Sequence, residues 1–231
     1  MNKEKIIKGL KWFFNSFIWL GILLFVLDIV SKNIIVQNSN AIKAGGGRNG
    51  GIDIISGFLG INYVINEKIA FGLMIGTKQI TQILFSIIAV IVAIGIIVFL
   101  VKSWDKTNRF YKACLMMIIA GALGNVVDRI FYSPEYLNYV NASGELARGV
   151  VDFIDFYGIW GFNFNVADSC VVVSAFMLII YMIVTEIIDY RRKVKQETAS
   201  EQPKEKEERV LSATEQEKIR LLEKDKEDDN E

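Results

Sequence analysis

Four stretches of this 231-residue chain stay apolar for longer than a water-soluble fold can easily use. They lie near residues 12–29, 80–101, 111–127 and 166–188. About 20 apolar residues in helical form cross a hydrocarbon core of roughly 30 Å, with every backbone polar group paired inside its own helix. A soluble domain spreads its apolar residues along amphipathic elements instead. The expected fold is therefore an all-α membrane protein of four transmembrane helices. The first stretch lacks a small-residue cleavage site, and Asp28 and Lys32 sit at its far end, so it reads as a retained span.

Lysine and arginine set the orientation. Lys3, Lys5, Lys8 and Lys11 precede the first span, Lys102, Lys106, Arg109 and Lys112 lie between the second and third, and Arg191, Arg192, Lys193 and Lys195 follow the fourth. All three clusters share one side only if both termini are cytoplasmic. Two long loops, about 31–79 and 131–165, then face outward. In the first, Ile52-Asp53-Ile54-Ile55 and Ile61-Asn62-Tyr63-Val64-Ile65 read as short strands parted by Gly57 and Gly60. They predict a small β-rich extracytoplasmic subdomain on the membrane surface. Residues 1–192 form the membrane body, and 193–231, dense in Lys and Glu, form a charged cytoplasmic tail, either disordered or a solvated helix.

The chain contains no histidine, which removes Ser-His and Cys-His nucleophilic schemes and most zinc sites. Its two cysteines, Cys114 and Cys170, lie in apolar segments and read as small buried hydrophobes. A formal net charge of zero gives no field that would gather nucleic acid. Any chemistry is left to carboxylates, amides, Lys, Arg and hydroxyls, with no cofactor or metal expected.

Ionisable residues are costly inside a bilayer, by about 3 kcal/mol each on insertion scales, so their positions are informative. Asp28 and Lys32 belong to span one; Asn125, Asp128 and Arg129 to the end of span three; Asp152 precedes span four, and Asn165 and Asp168 open it. The topology gathers all of them at one depth near the outer surface. Asn125, Asp128 and Arg129 share one helical face by their spacing. Asp28 and Lys32, acid first and one turn apart, suit either a structural ion pair or a part of the site. Two carboxylates such as Asp152 and Asp168, facing each other in a partly dry pocket, share a proton and can act as base and acid on a peptide bond. Both also suit helix-end or interfacial caps, since an acid is favoured in a first helical turn. A small proton- or ion-coupled transporter is the alternative function, and the apolar depth of spans two and four weighs against it.

These residues fall in recognisable blocks. Gly124-Asn125-Val126-Val127-Asp128-Arg129 resembles the Gly-Asn-x-x-Asp-Arg signature of the lipoprotein signal peptidases. Val150-Val151-Asp152-Phe153 is similar to that family's Val-x-Asp-Phe block, and Phe164-Asn165-Val166-Ala167-Asp168-Ser169 to its Phe-Asn-x-Ala-Asp-Ser block. Asp28-Ile29-Val30-Ser31-Lys32 resembles its first-span block, and Asn66 with Ala70-Phe71-Gly72 its first-loop block. The resemblance covers roughly residues 10–190, with the blocks in family order. It implies a bacterial multi-pass aspartic endopeptidase with its active site near the outer face. Asp152 and Asp168 would be the catalytic pair, and Asn66, Asn125, Arg129 and Asn165 would line the site. Asp28, Lys32 and Asp128 would support them. The implied partners are prolipoproteins carrying a diacylglyceryl-modified cysteine, cut just before that cysteine, together with membrane lipids; nothing demands more than a monomer. Three departures stand out: Lys68 replaces a glycine, Arg148 stands where a glycine is usual with Gly149 beside it, and the 131–149 segment is long enough to suggest an enlarged loop over the cleft.

Overall fold

The computed structural model describes residues 3–47, 50–67, 77–157, 159 and 161–228. They form two compact units, Met1–Leu178 and Ile179–Glu231. The helices of the first unit are α1 (Lys3–Ser16), α2 (Ile18–Gln37), α3 (Ser39–Lys43), α4 (Lys78–Ser103), α5 (Arg109–Phe131) and α6 (Pro134–Leu137), with the start of α7 (Val166–Asp228). Its strands are β1 (Ile52–Ile55), β2 (Leu59–Asn66) and β3 (Val150–Phe156). Ile18–Gln37, Lys78–Ser103, Arg109–Phe131 and Val166–Gln196 are each long and apolar enough to cross a membrane. Ile22, Leu23, Val26 and Val30 of α2 and Ile83, Ile87, Ile91 and Ile94 of α4 stay exposed, as side chains bathed by lipid do. The second unit consists of the rest of α7, apolar through Ile188 and charged from Arg191 onward.

The first span differs from the sequence expectation of 12–29. The helix breaks at Phe17, whose φ of 59° is left-handed, and the apolar helix starts at Ile18. Lys11, Asn15 and Ser16 crowd polar groups ahead of that break, so residues 12–16 close the amphipathic α1 instead of opening the span. Asp28 and Lys32 accordingly lie inside α2, which runs on to Gln37, and not at its end.

The sheet has the order β1-β2-β3, all antiparallel. The tight turn from β1 to β2 uses Gly57 at φ 75°, a conformation that other residues adopt at a cost. The third strand comes from the second loop, beyond α5. Val64 pairs with Asp152 and Asn66 with Val150, with a register shift between Ile61 and Val64. Tyr63, Ile65, Val151 and Phe153 turn to one face and pack there with Ile35, Val36, Ile42, Tyr132, Leu137 and Ala147. Alternation sends Asp152 to the opposite face. The 131–149 segment is anchored behind the sheet through Leu137 and Ala147, both fully buried, while its Asn141 Nδ2 donates to the Glu67 carboxylate at 3.2 Å, beside the end of β2. Tyr63 reinforces the anchor by donating its hydroxyl proton to the carbonyl of Leu137.

Candidate active site

α7 begins with a reciprocal cap. Asn165 Oδ1 accepts the backbone N–H of Asp168 at 2.9 Å, and Asp168 Oδ2 accepts the N–H of Asn165 at 3.3 Å. This is the capping-box exchange with an amide and a carboxylate as partners, and it fixes the Asp168 side chain at the helix mouth. With its oxygen so engaged, Asn165 points Nδ2 the other way, 2.7 Å from Asp152 Oδ1, 3.1 Å from Asn125 Oδ1 and 3.3 Å from the carbonyl of Val151. One amide thus ties together the strand acid, the helix acid and α5. Asp152 also accepts Asn66 Nδ2 at 2.9 Å, so its two oxygens are held from β2 and from α7.

Beneath the pair lies a dry ion cluster. Lys32 has no exposed surface, and neither have Asp28 and Asp128. Its ammonium is ion-paired with Asp28 Oδ2 at 2.7 Å and Asp128 Oδ2 at 3.0 Å and donates a hydrogen bond to Asn125 Oδ1 at 3.0 Å. Because lysine only donates, it fixes the orientation of the Asn125 amide, whose Nδ2 then donates to Asp168 Oδ1 at 2.7 Å. Each buried carboxylate also holds a backbone N–H. Asp28 Oδ1 takes that of Ala167 at 2.8 Å, and Asp128 Oδ2 that of Val151 at 3.0 Å. Ala167 precedes Asp168 and Val151 precedes Asp152, so the cluster grips the chain one residue ahead of each acid.

Two glycines allow this approach. A Cβ on Gly124 would stand 2.4 Å from Asp28 Oδ2, and one on Gly121 the same distance from the Ala167 carbonyl oxygen. Gly149 does for β3 what the sequence expects of position 148: a Cβ there would lie 2.2 Å from the carbonyl oxygen of Asn66. Arg148 instead turns its guanidinium toward the Arg129 and Ile130 carbonyls, each at 3.5 Å.

Burial and the neighbouring Asp168 carboxylate push Asp152 well above the ordinary carboxylate range, against opposing donors from Asn66 and Asn165 and the charge of Lys32. Asp152 is buried, whereas Asp168, Asn125, Arg129 and Asn66 are half-buried and form the open side of the cluster. Four carboxylates, Asp28, Asp128, Asp152 and Asp168, gather around the two cations Lys32 and Arg129.

All nine residues singled out from the sequence, Asp28, Lys32, Asn66, Asn125, Asp128, Arg129, Asp152, Asn165 and Asp168, belong to this one neighbourhood. Lys68, Ala70, Phe71 and Gly72 lie outside the described residues. Sequence reasoning missed Gln82. Its Oε1 accepts Arg129 Nε at 2.9 Å and its Nε2 donates to the Glu67 carbonyl at 2.7 Å, which links α4, α5 and the end of β2. The clue was there: Gln82 and Ser86 are polar, one turn apart, and buried with Thr81 in the first part of a helix that is apolar from Ile87 to Val101.

A bundle of membrane-crossing helices capped by a small sheet, with a buried cluster of carboxylates and amides where the two meet, defines a polytopic membrane protein with a polar site at one end of its spans. The family model of signal peptidase (SPase) II matches residues 20–184, and the chain belongs to that family of membrane peptidases. A lipoprotein signal peptidase of Fusobacterium nucleatum is 32% identical over 178 residues, 77% of this chain and 88% of the relative. Another, of Clostridioides difficile, is 32% identical over 170 residues, covering 74% and 96% respectively. A solved bacterial membrane enzyme structure aligns with a TM-score of 0.54 at 30% identity, over 72% of this chain and 86% of that one.

Proposed function

We propose that this peptidase removes signal peptides from diacylglyceryl-modified prolipoproteins, cutting just before the lipidated cysteine, with Asp152 and Asp168 as an aspartic pair. The observation that carries the reading is Asn165, whose side-chain Nδ2 donates to Asp152 Oδ1 and whose backbone N–H donates to Asp168 Oδ2, with Asp168 on the open side. In this reading Asp152 starts protonated, in keeping with its raised pKa, and Asp168 starts ionised. Asp168 takes a proton from water as the oxygen attacks the scissile carbonyl carbon, while Asp152 gives its proton to the carbonyl oxygen. The tetrahedral diol then collapses. Its hydroxyl proton returns to Asp152, and Asp168 protonates the leaving amine, which restores the starting state.

Asn66, Asn125, Arg129 and Asn165 line the cleft and orient the peptide. Asp28, Lys32 and Asp128 hold the backbone ahead of each acid and touch no substrate. The Lys/Arg distribution puts both termini in the cytoplasm and the site near the outer face of a bacterial membrane. Residues 1–192 then serve as the peptidase body and 193–231 as a cytoplasmic tail. A diacylglyceryl anchor would bring the scissile bond to the depth of the acids, and burial of its acyl chains in lipid supplies binding energy. The protein works as a monomer without a cofactor.

The test is a gel-shift assay in detergent. Wild type and Asp168→Asn are each given a diacylglyceryl-modified prolipoprotein and its unlipidated form. Cleavage of the lipidated form by wild type alone is expected. Turnover by Asp168→Asn, or equal cleavage of both substrates, would overturn the reading.

A further inference from the structure

The family match begins at residue 20, so α1 lies wholly outside it. At about 100° per residue, Ile6, Ile7, Leu10, Phe13 and Phe14 fall within an arc of about 120° along α1. Lys5, Lys8, Lys11 and Asn15 occupy the remaining side together with Trp12 and the single acid Glu4. Ile6, Ile7, Leu10 and Phe14 of the apolar stripe are exposed. The corner that separates α1 from the span is well bonded: Ser16 Oγ donates to the Phe13 carbonyl at 2.6 Å and accepts the Ile18 N–H at 3.2 Å, and Trp19 Nε1 donates to the Phe14 carbonyl at 3.1 Å.

Around the corner stands a belt of aromatic rings and cations. The Trp12 and Trp104 ring centroids are 5.7 Å apart, Lys112 Nζ lies 4.1 Å from the Trp104 ring centre, and the Arg109 guanidinium lies 5.6 Å from that of Phe17. Such belts mark the depth of lipid headgroups. This one sits at the start of α5, about 28 Å of helix from Asp128.

We propose that α1 is an interfacial helix lying in the headgroup layer at the end of the bundle away from Asp168. Its apolar stripe rests on acyl chains, and Lys5, Lys8 and Lys11 meet the phosphates of anionic phospholipids. The exposed stripe, the lysines beside it and the direct continuity with the membrane-crossing α2 all point to a bilayer as the occupant. Were α1 instead an extension of the span, Lys8, Lys11 and Asn15 would be drawn into hydrocarbon.

Full-length protein carrying Cys114→Ala and Cys170→Ala is spin-labelled singly at Ile6→Cys, Lys8→Cys, Leu10→Cys or Phe14→Cys. It is reconstituted in phosphatidylcholine, or in equal parts phosphatidylcholine and phosphatidylglycerol, and retained peptidase turnover certifies folding. Labels at positions 6, 10 and 14 are expected at one shallow depth, open to oxygen and shielded from a water-soluble nickel chelate, with position 8 the reverse. In phosphatidylglycerol the ratio of shielded to unshielded label should rise by about fivefold per lysine. Combined Lys5→Gln, Lys8→Gln and Lys11→Gln should abolish that rise. A depth gradient of about 12 Å from position 6 to 14 would mean a span extension and overturn the proposal. Dipolar broadening between copies would assign the stripe to a second chain, and identical shielding in both lipids would remove the anionic headgroups; either result also overturns it.

Discussion

Replacing Lys32 by methionine isolates the ion cluster beneath the two acids. Methionine keeps most of the stem's volume and removes the charge, so packing is largely preserved. Lys32 is the cation that contacts both Asp28 and Asp128, at 2.7 and 3.0 Å, and all three side chains have no exposed surface. Removing one partner of a buried ion pair costs about 3–5 kcal/mol, because the charge left behind has neither water nor counter-ion. For a chain of this size that corresponds to a fall in Tm of roughly 10 °C. Activity should suffer as well, since Asp28 and Asp128 hold the N–H groups just ahead of Asp168 and Asp152. A displacement of about 1 Å at either acid is enough for about a hundredfold loss in kcat. The assay is paired: thermal unfolding in detergent, and turnover of a lipidated prolipoprotein well below the Tm. Adding Asp28→Asn to Lys32→Met removes one uncompensated carboxylate, so the double variant should regain part of the lost stability, a non-additivity of at least about 1 kcal/mol. If Lys32→Met unfolds within a degree or two of wild type and turns over normally, the cluster does not position the acids.

The other expected outcomes concern the acids and their neighbours. Asp152 is held above its ordinary range in the folded state, so the folded protein binds this proton more tightly than the unfolded chain does. The associated stability is full below the unfolded value of about 4 and is lost as pH rises through the folded one. Asp152→Asn should therefore gain Tm relative to wild type on going from pH 5 to pH 8, while its turnover vanishes; a constant Tm difference would refute the assignment of a raised pKa. Gly124→Ala would place a Cβ 2.4 Å from Asp28 Oδ2, a clash worth about 1–3 kcal/mol, visible as a lower Tm and a reduced kcat. Gln82→Ala frees the Arg129 guanidinium from its 2.9 Å bond and should lower kcat/KM by roughly tenfold to a hundredfold with little change in Tm; a large Tm loss at unchanged kcat/KM would make Gln82 purely structural.

Much of this architecture could be read in the residue order, for physical reasons that differ from part to part. Spans are legible because lipid demands long apolar runs, and the polar residues inside them are legible because each is expensive. The start of α2 was poorly legible: Asn15 and Ser16 interrupt the run of aromatics for only two residues, and it is the left-handed backbone at Phe17 that shows one helix ending there. The sheet was half legible. β1 and β2 show strand-like composition, but the partner that completes them is β3, from a different loop, and local sequence holds no record of so distant a pairing. Gln82 was overlooked because its partners, Arg129 and the Glu67 carbonyl, come from separate elements, and one amide near a helix end looks like ordinary surface polarity.

The pairing of β2 with β3 also bears on when the site can come into being during synthesis. β2 precedes α4 and β3 follows α5, so two complete membrane crossings separate the strands that carry Asn66 and Asp152. An even number of crossings returns both strands to the same face, but only after the α4–α5 hairpin has been inserted. The cap that fixes Asp168 requires the start of α7, later still. A growing chain that stops short of that helix holds no assembled pair of acids. With the roles proposed for Asp152 and Asp168, insertion of the last span is thus the step that completes the site.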